Sequence, residues 1–211
     1  MKKQDLQSYW NKVYDKKAID SLGWYEEFPE QSLMLIEKCE LNTDARILNV
    51  GTGASTLIDN LLENGYKYII ASDISLSSME KLKDRLGKTE SAKVHWIIDD
   101  LANSKQLTKI EKLDLWHDRA VLHFLTENSD QDAYFTLLNK LVKKGGYVII
   151  AVFNPDGATM CSGLPVIRYN SMQISNKLGD GYKLKEEFNY TYTMPSGDTR
   201  EYVYTLFRRY S

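Results

Sequence analysis

The sequence predicts an α/β fold in which a parallel sheet with helical crossovers is closed by a C-terminal antiparallel hairpin. Three observations predict it. Short apolar runs alternate with amphipathic stretches from Ala45 to Phe153, a glycine loop follows the first of those runs, and the tail changes to two long strand-like segments around a Pro-Ser-Gly turn.

Two helices come first, over 4–17 and 30–40; in the second, Leu33, Leu35, Ile36 and Cys39 fall on one face at helical spacing. Between them Ser21-Leu22-Gly23-Trp24-Tyr25 reads as an aromatic loop. Residues 45–50 form a short buried strand that ends at Gly51, and 56–63, with Leu57, Ile58, Leu61 and Leu62 at helical spacing, form the helix after it. The pattern repeats with a strand over 68–73, a helix over 77–86, and strands over 94–98 and 113–117. A helix over 132–142 leads through Gly145-Gly146 into a strand over 147–153. Strands separated by helices imply right-handed crossovers and a parallel sheet. The tail reads as strands over 182–193 and 200–209, joined by Met194-Pro195-Ser196-Gly197-Asp198.

The chain has 211 residues, 43% hydrophobic and 11% aromatic, enough to bury one core without disulfides or metals. No repeat, low-complexity tract or Pro/Gly-rich linker divides it, so a single domain over 1–211 is expected, with an N-terminal helical segment over 1–43 and the α/β core over 44–211. Lys+Arg number 27 against Asp+Glu 29, a net charge of -2, which gives no electrostatic case for nucleic acid or an anionic membrane. Cys39 and Cys161 lack metal-ligand spacing, and no Cys/His/Asp cluster suggests a metal. With no apolar leader and no long apolar run, a cytoplasmic location is expected.

Asn49-Val50-Gly51-Thr52-Gly53-Ala54-Ser55 lies where a strand turns into a helix, a place where glycines allow a tight turn and close approach of backbone to a ligand. Asp73 ends the second strand, where a carboxylate can accept both hydroxyls of an adenosine ribose; it or Ser75 also suits a helix N-cap. Asp99-Asp100-Leu101 follows the third strand, where a carboxylate can accept from an adenine amino group or cap a turn. The G-x-G-x-x-G dinucleotide fingerprint fails because its third glycine is Thr56, which points to a ligand with adenosine but no pyrophosphate and disfavours a nicotinamide dehydrogenase.

In the order of these parts the chain resembles the class I methyltransferases that use S-adenosylmethionine. The resemblance begins with Tyr9-Trp10-Asn11-Lys12-Val13-Tyr14 and runs through the glycine loop, Asp73, Asp100 and the Gly-Gly turn. The stretches around Trp116-His117-Asp118-Arg119 and Cys161-Ser162-Gly163 look like a bacterial methyltransferase-domain subgroup. The resemblance implies a Rossmann-like seven-stranded mixed sheet, mostly parallel with its last strand antiparallel, flanked by helices and topped by an N-terminal helical lid. It implies S-adenosyl-L-methionine as cofactor and S-adenosyl-L-homocysteine as product. Methionine would lie at Asn49, Gly51, Thr52 and Gly53, ribose at Asp73 and Ile74, and adenine near Asp100 and Leu101, with Trp24 and Tyr25 folded over the cofactor. The family usually has Asp or Glu where this chain has Asn49, a neutral acceptor.

Methyl transfer from a sulfonium is an in-line displacement that needs alignment, a dry site and, for some acceptors, a base. His117 is a candidate base or cofactor contact at the cleft rim, His123 follows at helical spacing, and Asp118-Arg119 suits an internal ion pair that orders the loop. The irregular stretch from Asn154 to Tyr169 suits a substrate wall, with Arg168 either gripping an anion or tying the loop to Asp156 or Asp180. The expected activity is methyl transfer to a small-molecule acceptor. The alternatives are a protein-lysine methyltransferase and a protein that binds S-adenosylmethionine without turnover. The residues name neither the acceptor atom nor the oligomeric state.

Overall fold

A computed structural model describes residues 3–211. Two helices, α1 (Lys3–Lys16) and α2 (Glu30–Glu37), precede the alternating region. There β1 (Arg46–Val50), α3 (Leu57–Glu63), β2 (Tyr68–Asp73), α4 (Leu76–Ser91), β3 (Val94–Ile98), β4 (Leu113–Arg119), α5 (Asn128–Leu141) and β5 (Val142–Phe153) follow in turn. After a small hairpin, β6 (Met160–Cys161) with β7 (Leu164–Pro165), come α6 (Ser171–Leu178), β8 (Tyr182–Thr193) and β9 (Thr199–Arg209). The main sheet has seven strands in the order β3-β2-β1-β4-β5-β9-β8. Strands β1 to β5 are parallel, and β9 runs antiparallel between β5 and β8. The predicted mixed sheet and its helical flanks are therefore present.

Strand alternation sends side chains to two cores. Leu48, Ile70, Trp116 and Ile150 face α5 and α6 on one side. Ile47, Ile69, Leu115 and Ile149 face α2, α3 and α4 on the other. Burial on both faces gives the continuous apolar runs Ile69-Ile70-Ala71 in β2 and Val148–Phe153 in β5, whereas β4 carries Asp114, His117 and Asp118 among its apolar residues.

Three departures from the sequence pattern have local causes. Helix α4 continues past 86 to Ser91, but Gly87 (φ 72°, ψ 172°) breaks it, so the pattern stops where the helix kinks. The stretch 154–169 is less irregular than expected, because the β6–β7 hairpin turns at Ser162-Gly163 inside it. Helix α6 is not among the elements the apolar pattern predicts, although its start is marked: Asn170 accepts from the Gln173 backbone N–H at 2.9 Å, and the Gln173 side chain accepts from the Asn170 N–H at 2.9 Å. That capping box is the N-x-x-Q signature at a helix start.

Helix α1 lies across the carboxyl ends of the strands and is pinned there by polar contacts. Gln7 Nε2 donates to the Ile74 carbonyl at 2.9 Å, and Asn11 Oδ1 accepts from Ser75 Oγ at 2.8 Å and from the Ser77 N–H at 3.3 Å. Tyr9 Oη donates to the Ser162 carbonyl, which joins α1 to the β6–β7 hairpin. No helix among the described residues is long and apolar enough to cross a membrane.

Candidate active site

The glycine loop after β1 is fixed from both sides. Gly51 and Gly53 both have φ +56°, a region that costs L side chains dearly. A Cβ on Gly51 would stand 2.0 Å from Val121 Cγ2, and one on Gly53 would stand 2.3 Å from Tyr14 Oη. A side chain at either position is therefore strained and must displace Val121 or Tyr14. Thr52 N–H donates to the Ser72 carbonyl at 3.0 Å, and Thr52 Oγ1 donates to the Asn49 carbonyl at 2.8 Å.

Asp73 ties this loop to the next crossover. Its Oδ2 accepts from Gly53 N–H and its Oδ1 from Ser75 N–H, both at 2.7 Å. Burial pushes its carboxyl up to about 6, against the backbone hydrogen bonds that hold it down. The N-cap of α4 is Ser75, which accepts from Ser78 N–H at 3.2 Å. Asp99 folds the following turn, accepting from Ser104 Oγ at 2.7 Å and from the Gln106 and Leu107 N–H groups at 2.9 Å. Asp100 accepts from Ala102 N–H at 2.9 Å and still lines the cleft.

Two cavities open at this end of the sheet. The larger spans about 830 Å³, counting the space at its open mouth, and its lining includes Trp10, Asp73, Ile74, Asp100, Leu101, Val121, Phe124 and Cys161. The smaller spans about 520 Å³ on the same basis, and its lining includes Tyr25, Glu26, Ser32, Asn49, Thr52 and His117. Trp24, Gly51 and Arg119 line both, so the cavities meet at the glycine loop. Trp24 packs edge-on against Trp10 and Tyr14, with ring centroids 5.7 and 5.9 Å apart. Among the described residues no group of three or more His, Cys, Asp or Glu is arranged to hold a metal.

Several sequence expectations about chemistry need correction. His117 is buried, not at the rim: its Nδ1 lies 3.3 Å from Asn49 Oδ1 and its Nε2 2.9 Å from Ser32 Oγ. Burial, with Arg119 nearby, pushes it down to about 3, so it is a neutral hydrogen-bonding group rather than a base. His123 is fully buried and lines neither cavity; its ring packs on Phe124 and Phe153, 4.5 and 4.7 Å between centroids, and neither nitrogen has a partner. Arg168 is exposed and lines neither cavity, because its Nη1 donates to the carbonyls of Pro155 at 2.6 Å and Gly157 at 3.4 Å. It fastens its own loop.

The expected Asp118–Arg119 pair does not form. Asp118 accepts from the Val121 and Leu122 N–H groups at 2.9 and 3.1 Å and from Tyr134 Oη at 2.7 Å, which shapes the turn after β4. Arg119 points the other way. Its Nε donates to Tyr204 Oη and its Nη1 to the Trp24 carbonyl, both at 3.0 Å, and it lies over the rings of Tyr192 and Tyr202. Its Nη2 is 3.0 Å from Glu26 Oε1, and the two side chains are only 10% and 12% exposed. Burial pushes the Glu26 carboxyl up, while Arg119 pulls it down. The sequence pattern did not single out Glu26, because nothing local marks a residue whose partner arrives from a distant strand.

This geometry can be set beside known proteins. A curated mouse (Mus musculus) protein, EEF1A lysine methyltransferase 2, is 20% identical over 192 residues, which cover 85% of this chain and 72% of that protein. A SAM-dependent methyltransferase from Anabaena variabilis has a similar fold, with TM-score 0.74 at 12% identity over 98% of this chain and 94% of the other. The 1,6-didemethyltoxoflavin-N1-methyltransferase of Burkholderia thailandensis, solved with its substrate and S-adenosylhomocysteine bound, matches with TM-score 0.66 at 16% identity, over 99% and 87% of the two chains. The family model described as a methyltransferase domain matches residues 41–206, which take in the glycine loop, Asp73, Asp100 and Arg119, and the chain belongs to that family.

Proposed function

We propose that this methyltransferase transfers a methyl group from S-adenosylmethionine to a small-molecule acceptor within the larger cavity. When bound, the cofactor supplies a methyl group on a sulfonium, which a nucleophile displaces in line. The fit rests on three features: a loop whose glycines a Cβ would crowd, the buried carboxylate of Asp73 beside it, and the buried Arg119 Nη2, whose one nearby acceptor is Glu26 Oε1. In this reading Asp73 accepts the ribose hydroxyls beside Ile74, Asp100 and Leu101 hold the adenine, and Gly51, Thr52 and Gly53 admit the donor chain close to the backbone. Trp24 offers an aromatic face to the sulfonium, while Tyr25, Asn49 and His117 shape the smaller cavity.

The observation that carries the small-molecule reading is the roof over the larger cavity. Helix α1 crosses it, Tyr9 bonds to the β6–β7 hairpin, and Trp10 packs against Phe124 at 5.1 Å between centroids. A roofed cavity excludes water and suits an acceptor that can be enclosed. His117, His123 and Arg168 have no part as bases in this reading. Alignment and exclusion of water do the work.

The second reading, transfer to a protein lysine, is favoured by the curated lysine methyltransferase relatives. Incubation with methyl-labelled donor and a size-fractionated cell extract separates the two. Label in the low-mass fraction is expected; label confined to protein would replace the first reading with the second. Intact binding with label in neither pool would favour binding without turnover.

A further inference from the structure

The structure assigns Glu26 and Arg119 as the receptor for the amino-acid end of the cofactor, with the α-ammonium on Glu26 and the α-carboxylate on Arg119. This rests on the donor reading of the cleft given above. The nucleoside features, Asp73 and Asp100, line the larger cavity, and the glycine loop stands where it meets the smaller one. A donor chain continuing past Gly51 enters a space that must satisfy one positive and one negative charge.

Among the described residues lining that smaller cavity, Glu26 is the one carboxylate and Arg119 the one guanidinium. Asn49 lines it too but is neutral, and its Oδ1 faces His117 at 3.3 Å. His117, held neutral by burial, offers no charge. The counter-charge for an ammonium therefore comes from the loop before α2, not from β1.

The free donor is on Arg119. Its Nη2 is buried, and beyond the ion pair with Glu26 Oε1 at 3.0 Å it has no acceptor. An α-carboxylate meets that need, because a guanidinium binds carboxylates through several N–H groups in one plane. Glu26 is held in place by its own backbone, whose carbonyl accepts from Thr56 Oγ1 at 2.9 Å. A zwitterion would match this buried couple, charge for charge.

The test uses the whole chain and two probes in calorimetry. S-adenosylhomocysteine carries the amino-acid chain, whereas 5′-methylthioadenosine has the adenosine and sulfur without it. Glu26→Gln is expected to weaken S-adenosylhomocysteine by roughly ten- to a hundredfold, the worth of a charged hydrogen bond, and to leave 5′-methylthioadenosine unchanged. Adding Asn49→Asp to Glu26→Gln restores a carboxylate to the same cavity and is expected to recover part of the loss. Equal weakening of both probes would show that Glu26 only holds the loop closed and would overturn the assignment, as would no weakening of either. Failure of Asn49→Asp to recover binding would overturn the claim that charge in this cavity is what matters. If the unaltered chain binds neither probe, the donor reading of the cleft falls first.

Discussion

Replacing Gly51 by Ala tests whether the glycine loop is shaped by its contact with the turn after β4. Two costs follow from the structure. Holding a non-glycine residue at φ +56° costs about 1–2 kcal/mol, and a Cβ 2.0 Å from Val121 Cγ2 adds an overpacking cost of about 1–3 kcal/mol. The sum, about 2–5 kcal/mol, is a large part of the ~5–15 kcal/mol that holds an ordinary domain folded. The second cost can be removed separately. Val121→Ala deletes Cγ1 and Cγ2, the atoms 3.5 and 2.0 Å from the added carbon, and leaves only Val121 Cβ at 3.3 Å. Alone, that change costs about 1 kcal/mol, as small truncations of half-buried aliphatic side chains do. In a Gly51→Ala/Val121→Ala double variant the 2.0 Å clash is gone, while a tight 3.3 Å contact and the backbone strain remain. Urea unfolding of the four proteins is therefore expected to give a favourable coupling of at least about 1 kcal/mol. Additivity within about 0.5 kcal/mol would refute the steric argument and leave only the backbone term.

Two further outcomes are expected. S-adenosylhomocysteine binding measured by calorimetry should weaken by about tenfold per pH unit below about 6, where Asp73 gains a proton and loses its acceptor role; Asp73→Asn should bind weakly with a flat pH profile, and a flat profile in the unaltered chain would remove Asp73 from the ribose. The sign for stability is opposite, because a carboxyl raised in the folded state contributes stability at low pH and loses it as pH rises through about 6, so binding must be measured directly rather than by melting. His123→Leu removes two buried nitrogens without partners and should leave affinity unchanged while holding or raising Tm. Since folded His123 is pushed down to about 3, its contribution is present above the ordinary value of about 6.5 and is lost as pH falls, so the variant's advantage in Tm should widen between pH 7 and 5. Loss of methyl transfer at unchanged Tm would restore His123 to the chemistry.

The parts of the fold that the sequence announced are those with local causes. Apolar runs such as Ile47-Leu48 and Val148-Ile149-Ile150 declare strands buried on both faces, and glycines between a strand and a helix declare a ligand turn. Helix α6 had a local mark too, its Asn170–Gln173 box, which strand-and-loop reasoning passed over. The side-chain chemistry was harder to read because its causes are distant. His117 and His123 look alike as candidates until burial separates one with two partners from one with none. Adjacency in sequence suggests Asp118 as the partner of Arg119, but successive residues on a strand point to opposite faces, and its real partners lie on the N-terminal loop and on β9.

The order of the sheet differs from the order of synthesis, and this bears on when the chain becomes able to bind. Strand β9 is made after β8 yet lies between it and β5, so neither strand of the hairpin can join the sheet until both exist. The same hairpin brings Tyr192, Tyr202 and Tyr204 to Arg119, and Tyr192 donates to the Tyr25 carbonyl in the loop above the cleft. A nascent chain with every crossover already formed thus lacks the support for its N-terminal cover. Ligand competence arrives last, with the final strand of the sheet.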